Sequence, residues 1–205
     1  MAASKRPPTV FINCPFDSDY QSLFDAIVFT VARCGFAPRC AKEIDDAAGT
    51  RIDKIAKLIE ECPLAIHDIS RTELDNKSKL PRFNMPFELG LFIGACRFGN
   101  VKQRKKRCLV FDKSRFRYQK FLSDIAGQDI HAHEAKQSRI IIEVRNFLHS
   151  NANGRHIPGG NTISKQFAEF KKRKPTICEQ LELDPHDLTF LDFTNLVAVY
   201  LEQNA

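Results

Sequence analysis

Glu88 is the residue that most needs a reason. It is the only charged side chain from Met85 to Cys96, among Met, Pro, Phe, Leu, Gly, Ile, Ala and Cys, and an isolated carboxylate among apolar neighbours is costly to bury. Two readings stand side by side. Pro86 suits the first turn of a helix, so Glu88 is either a carboxylate held by its own helix start or a group with chemistry to perform. Asn84, four residues earlier, shares its face or stands at the helix entrance. An amide beside a carboxylate can hold sugar hydroxyls, and an N-cap is the structural alternative for Asn84. Asp68 closes the run LAIHD, where open sheets carry functional groups; otherwise it turns the chain by bonding its own backbone. Asp17, in the loop Asn13-Cys14-Pro15-Phe16-Asp17-Ser18-Asp19, reads first as the N-cap of the helix that follows. Arg71 and Arg82 flank the same region, as bidentate phosphate ligands or as surface arginines.

The elements that must hold these residues follow from periodicity. Short apolar runs at residues 9–13, 36–41, 64–69 and 108–111 predict buried strands, and residues 129–133 a weaker fifth. Between them, apolar steps of three and four predict helices from Tyr20 to Val31, with Gly35 as the stop, over 51–61 and over 138–149. Residues 85–98 also read as a helix, with almost no polar face, and so as one that must be buried; residues 70–81 are a polar loop. Strand alternating with helix predicts an α/β domain, an open parallel sheet of about five strands with helices on both faces and its ligand site at the carboxyl ends of the strands. Residues 151–161 carry three glycines and a proline without periodicity. The chain therefore divides into an α/β domain, 1–150, and a helical extension, 151–205, with helices expected at 164–173 and 185–202. The extension packs on the domain because Phe190, Leu191, Phe193, Leu196, Val197 and Val199 need burial.

Composition narrows the classes. The 205 residues are 43% hydrophobic and 27% charged, which is globular, and no apolar run is long enough for a bilayer. No secretory pattern opens residues 1–8, so a cytoplasmic location is expected. Seven cysteines, an odd number without framework spacing, read as reduced thiols. No zinc-ligand spacing occurs, and neither a metal nor a cofactor is expected. The net charge of +6 suits an anionic partner. Its densest patch, Lys102 to Arg107 (KQRKKR), reads as a solvated loop in preference to a nucleic-acid contact.

Three stretches carry a family likeness. Val10 to Asn13 with its Cys-Pro-Phe loop, His67-Asp68-Ile69-Ser70 and above all Asn84-Met85-Pro86-Phe87-Glu88-Leu89-Gly90 resemble the nucleoside 2-deoxyribosyltransferase superfamily and its TIR-like relatives. The likeness covers about residues 9–148. It implies a flavodoxin-like sheet in which Glu88 attacks, or stabilises positive charge at, the anomeric carbon of a ribosyl group. It further implies that Asp68 and Asn84 orient sugar or base, that Phe16 and Tyr20 form the aromatic region beside the first strand, and that the protein is a homodimer. The transferases also carry an aspartate shortly before the glutamate, where this chain has Arg82 and Phe83, and that departure leaves room for a phosphorylated substrate. Breaking an N-glycosidic bond develops oxocarbenium character, which a carboxylate in a dry pocket stabilises. The expectation is an enzyme acting on the N-glycosidic bond of NAD or a nucleoside monophosphate. The alternative is a non-catalytic nucleotide-binding or TIR-like interaction module. Glu88 and Asp68 should then converge on one cleft, Glu88 should be buried with a raised pKa, and the 185–202 helix should lie between the domain and either a second subunit or the 164–173 helix.

Overall fold

The computed structural model describes residues 6–43, 46, 48–74 and 79–204. Strands β1 (Thr9–Asn13), β2 (Ala37–Arg39), β3 (Leu64–Asp68), β4 (Arg107–Asp112) and β5 (Ile130–Ala132) form one sheet in the order β2-β1-β3-β4-β5. Every pairing is parallel, which is the flavodoxin-like arrangement. The chain leaves β1 for β2, then crosses back to β3 on the other side, so the crevice between the ends of β1 and β3 is the topological switch point.

The central strands are apolar because helices cover both faces. Val10, Ile12, Leu64 and Ile66 point to α1 (Gln21–Arg33) and α5 (Gln137–Ser150). Phe11 and Ala65 point to α2 (Arg51–Glu61) and α3 (Asn84–Phe98). Local signals fix the helix ends. Thr50 and Asp53 form a capping box on α2, and Gly35 follows α1 at φ +77°, a conformation glycine adopts without strain. The basic patch is not simply solvated: it contains the single-turn α4 (Val101–Arg104), and Lys106 is buried, with Nζ donating to the carbonyls of Ile59 and Cys62 at the end of α2. A cation there satisfies carbonyls that have no partner within the helix.

The extension forms α6 (Gly160–Gln180) and α7 (Phe190–Gln203). α6 runs beyond the expected 164–173 and through Pro175; the buried anchors Ile177 and Cys178 offset the lost hydrogen bond at the proline. α7 begins at Phe190 rather than at 185 because Thr189 and Asp192 form its capping box. Both helices lie over α1, where Phe29 meets Phe167 and Phe170 with ring centroids 5.2 Å away. α7 therefore packs against α1 and α6 of its own chain, the α6 alternative of the expected sandwich, but Leu191, expected to be buried, stays 56% exposed on its outer side.

The expected burial of the 85–98 helix fails. α3 is apolar all round but buried on one face only, through Met85, Leu89 and Phe92. Phe87 and Phe98 on its other face are 59% and 85% exposed, because among the described residues no element passes over that side. All seven cysteines are unpaired, five of them buried. Among the described residues no helix is long and apolar enough to cross a membrane. Residues 1–5 of the amino-terminal stretch and 75–78 of the 70–81 loop lie outside the described residues.

Candidate functional site

Side chains alternate across a strand, so His67 and Asp68, the last two residues of β3, leave it on opposite faces. Each founds a separate polar cluster, with a cleft above the strand ends between them.

On the α2/α3 side, Glu88 sits in the second turn of α3, 3% exposed. Its Oε1 lies 3.5 Å from Arg51 Nη2 at the start of α2, and its Oε2 has no hydrogen-bond partner. Burial raises its pKa, against the opposing pull of the Arg51 guanidinium and a hydrogen bond from Asn13. The carboxylate therefore does not cap its own helix: its partners stand on α2 and β1. Asn13 Nδ2 lies 3.1 Å from His67 Nδ1, which makes Nδ1 the acceptor and places the ring proton on Nε2. His67 is packed between Phe11 and Phe92, and burial lowers its pKa to about 3. Glu88, Asn13 and His67 form one polar line through an otherwise apolar layer.

On the α1/α5 side, Asp68 is fully buried. Its Oδ2 accepts the Tyr20 hydroxyl at 2.6 Å and its Oδ1 accepts the Ser70 N–H at 2.8 Å. The second bond is the backbone turn anticipated as the structural alternative. His133 accepts the Ala135 N–H at Nδ1, so its Nε2 carries the proton; that atom lies 3.2 Å from Asp68 Oδ2. Neighbouring Asp112 holds Arg117 through Nε and Nη2 at 2.9 and 2.6 Å, and Arg117 Nη2 also donates to the Ser70 carbonyl at 2.7 Å. The ends of β3 and β4 are thereby tied together.

The cleft, about 270 Å³, opens at the switch point. Pro15, Phe16 and Met85 give it an apolar side, while Asp17, Asn84, Arg51, Arg71 and Arg82 give it a polar one. Cys14 also lines it, but burial and the nearby Asp68 push its thiol pKa well up, which keeps it from being a thiolate nucleophile. Asn84 is the first residue of α3, not its cap; Phe83 holds the cap position without a side-chain bond. Asp17 is not the cap of α1 either: Tyr20 holds that position without a side-chain bond, and Asp17 closes the turn before the helix by accepting the Tyr20 N–H at 3.1 Å. It also takes Arg71 bidentately at 3.0 and 2.6 Å, and Arg71 reaches Asp19 at 2.9 Å. That hydrogen bonding, chiefly with Arg71, lowers the Asp17 pKa. Arg71 is thus first a strap between the β1 and β3 loops.

Phe16, Asp17, Arg71, Arg82 and Asn84 therefore meet in one cleft. Glu88 stands behind it and touches it through Arg51. The expected convergence of Glu88 and Asp68 does not occur: side-chain alternation sends Asp68 to the opposite face, where it braces Tyr20 and the chain turn. Arg51, Asn13, His67, His133 and Arg117 were not foreseen. Arg51 carried a signal, being the first residue of a capped helix whose start faces the switch point. Comparison of the chain with models of protein families, with curated proteins and with solved structures finds no match.

Proposed function

We propose that the cleft binds a phosphorylated nucleoside, NAD or a nucleoside monophosphate, and that Glu88 serves cleavage of its N-glycosidic bond. The observation that carries this reading is the position of Arg51, which lines the cleft and also touches the buried Glu88. Three arginines and one aspartate line the cleft; Arg71 is held by Asp17 and Asp19, and Arg51 and Arg82 add guanidinium donors of the kind that suit phosphate. Phe16 and Met85 offer an apolar surface to the base. Asn84 stands one helical turn from Glu88, within the reach of a sugar held between them. A phosphate that draws Arg51 to itself uncovers Glu88 Oε1 toward the anomeric carbon. In the reaction the C1′–N bond breaks with its electron pair leaving on the base, and the carboxylate stabilises the oxocarbenium charge. Water then forms the new C1′–O bond; its proton goes to the departing base anion of a nucleoside monophosphate, or to solvent when neutral nicotinamide leaves NAD. The low-dielectric surroundings that raise the Glu88 pKa also strengthen its charge toward a cation beside it.

The second reading is a non-catalytic nucleotide-binding module, favoured by Glu88 being 3% exposed and set back from the cleft wall. One assay separates the two: incubation with NAD and a panel of nucleoside monophosphates, following free nicotinamide or nucleobase. Release that Glu88→Gln lowers by about 100-fold or more, with ligand affinity retained, supports the enzyme. Saturable binding that depends on Arg51, without release, supports the module. Neither binding nor release would remove both.

A further inference from the structure

A second cavity, about 570 Å³ against about 270 Å³ for the cleft, opens where the extension meets the domain, and its volume is that of an ordinary small-molecule site. Phe24 of α1, Leu188 before α7, and Phe190 and Phe193 of α7 give it an apolar wall. Phe24 meets Phe16 edge to face, with ring centroids 5.5 Å apart. Because Phe16 lines the cleft, that ring pair stands between the two hollows, and a ligand held here is independent of the chemistry proposed for the cleft.

The charged groups of this cavity come from three segments and do not pair with one another. Lys42, just after β2, holds Nζ 4.8 Å from the Phe16 ring centroid and 5.9 Å from that of Phe24. Lys174, on α6, holds Nζ 5.6 Å from the Phe193 centroid. Asp25, on α1, accepts the Gln21 amide at 2.7 Å through Oδ1; burial raises its pKa, opposed by that bond and by the pull of Lys174, Lys42 and Lys171. A lysine reaching Asp25 would close the hollow with an ion pair. Instead each ammonium group rests against an aromatic ring, a favourable place for a cation, and among the described residues neither has a hydrogen-bond or ion-pair partner. Both line the cavity with N–H donors that no protein group accepts, as compact charges that serve carboxylate and phosphate alike. We propose that this cavity binds a small organic anion with an aromatic body, its carboxylate or phosphate held between Lys42 and Lys174 and its ring laid against Phe24, Phe190 and Phe193. Asp25 Oδ2 then accepts a hydroxyl or amino group beside the anionic head.

Isothermal titration calorimetry of the full chain with phenyllactate and with phenyl phosphate tests it, and the tighter of the two tells whether the natural head is a carboxylate or a phosphate. The expected result is saturable binding of one molecule per chain. The neutral diol in which CH2OH replaces the carboxylate of phenyllactate should bind about 10-fold more weakly or worse, and Lys42→Gln and Lys174→Gln should each weaken the anion by about 10-fold or more, as for a lost charge-assisted hydrogen bond. Lys171→Gln removes the same charge from a lysine outside the cavity wall, one whose Nζ donates to Gln137 Oε1 at 3.0 Å. That variant should keep the affinity within about two-fold, the level of ordinary surface changes. Circular dichroism and thermal unfolding check that the variants fold. No binding of either anion up to about 10 mM, weaker than any affinity such contacts would give, overturns the proposal. So does binding that Lys171→Gln weakens as much as Lys174→Gln, or that the diol matches, since general charge or apolar adhesion would then explain it. Binding that survives Lys174→Gln but is lost in Arg51→Gln belongs to the cleft and overturns the proposal as well.

Discussion

At Glu88 and His67, two residues joined through Asn13, burial acts on opposite charges with opposite consequences for stability. Glu88 has its pKa raised above 4.5 in the folded state. Between the unfolded value and that higher one the folded chain binds the extra proton, so stability falls as pH rises. His67 has its pKa lowered from 6.5 to about 3. There the unfolded chain binds the extra proton, and stability falls as pH drops below 6.5, by about 1.4 kcal/mol per unit. Two outcomes follow for urea unfolding from pH 4 to 7. Glu88→Gln, which cannot ionise, should gain on the wild type as pH rises, and a loss instead would mean that the Arg51 contact outweighs burial. His67→Gln, which keeps an acceptor for Asn13, should shed about one proton's worth of acid sensitivity; an unchanged slope would show that His67 is not held neutral. Glu88 was legible in the sequence because it is a lone charge in an apolar run. His67 was not, because its burial depends on Phe11 and Phe92 from other elements.

Elements meet at the site through clamps that no local pattern announces. Asp112 ends β4 with its side chain 1% exposed and one carboxylate oxygen without a partner. The cation paired with it, Arg117, also fastens the Ser70 carbonyl after β3. Removing one partner of a buried pair strands the other. Arg117→Met should therefore destabilise the fold by about 3 kcal/mol, and adding Asp112→Asn should recover much of that loss. Chemical denaturation of both variants decides it, and a single variant within 0.5 kcal/mol of wild type, roughly the level of surface changes, would mean that the clamp is idle. Strands and amphipathic helices were readable because periodicity alone encodes them. The span of α6 was not, since Pro175 is a stop signal that only tertiary anchors override. The open face of α3 was misread for a related reason: an apolar composition states that a face needs cover, not whether this chain provides it.

The molecule as a whole shows why the composition break at residues 151–161 is a poor guide to where the core ends. α1 is buried at eight positions from Leu23 to Val31, more than a helix lying on one sheet needs. The sheet takes one side, and Phe167, Phe170 and Tyr200 close over Phe29 on the other, with ring centroids between 5.2 and 5.9 Å away. Val10, Ile27, Val144, Phe170 and Leu196 belong to a single buried cluster that crosses the expected boundary without a gap. A fragment ending at Ser150 would expose Phe29 and its neighbours at roughly 1.5–3 kcal/mol for each large apolar side chain. A few such losses reach the 5–15 kcal/mol that an entire domain commonly has. Residues 1–150 alone should thus aggregate, or stay expanded and unfold without a cooperative transition, whereas adding residues 151–205 as a separate chain should restore a sharp one. Differential scanning calorimetry of the fragment and of the mixture distinguishes the cases. A fragment that melts cooperatively close to the full chain would make α6 and α7 an appendage, and the doubly covered α1 would then have to draw its stability from the sheet side alone.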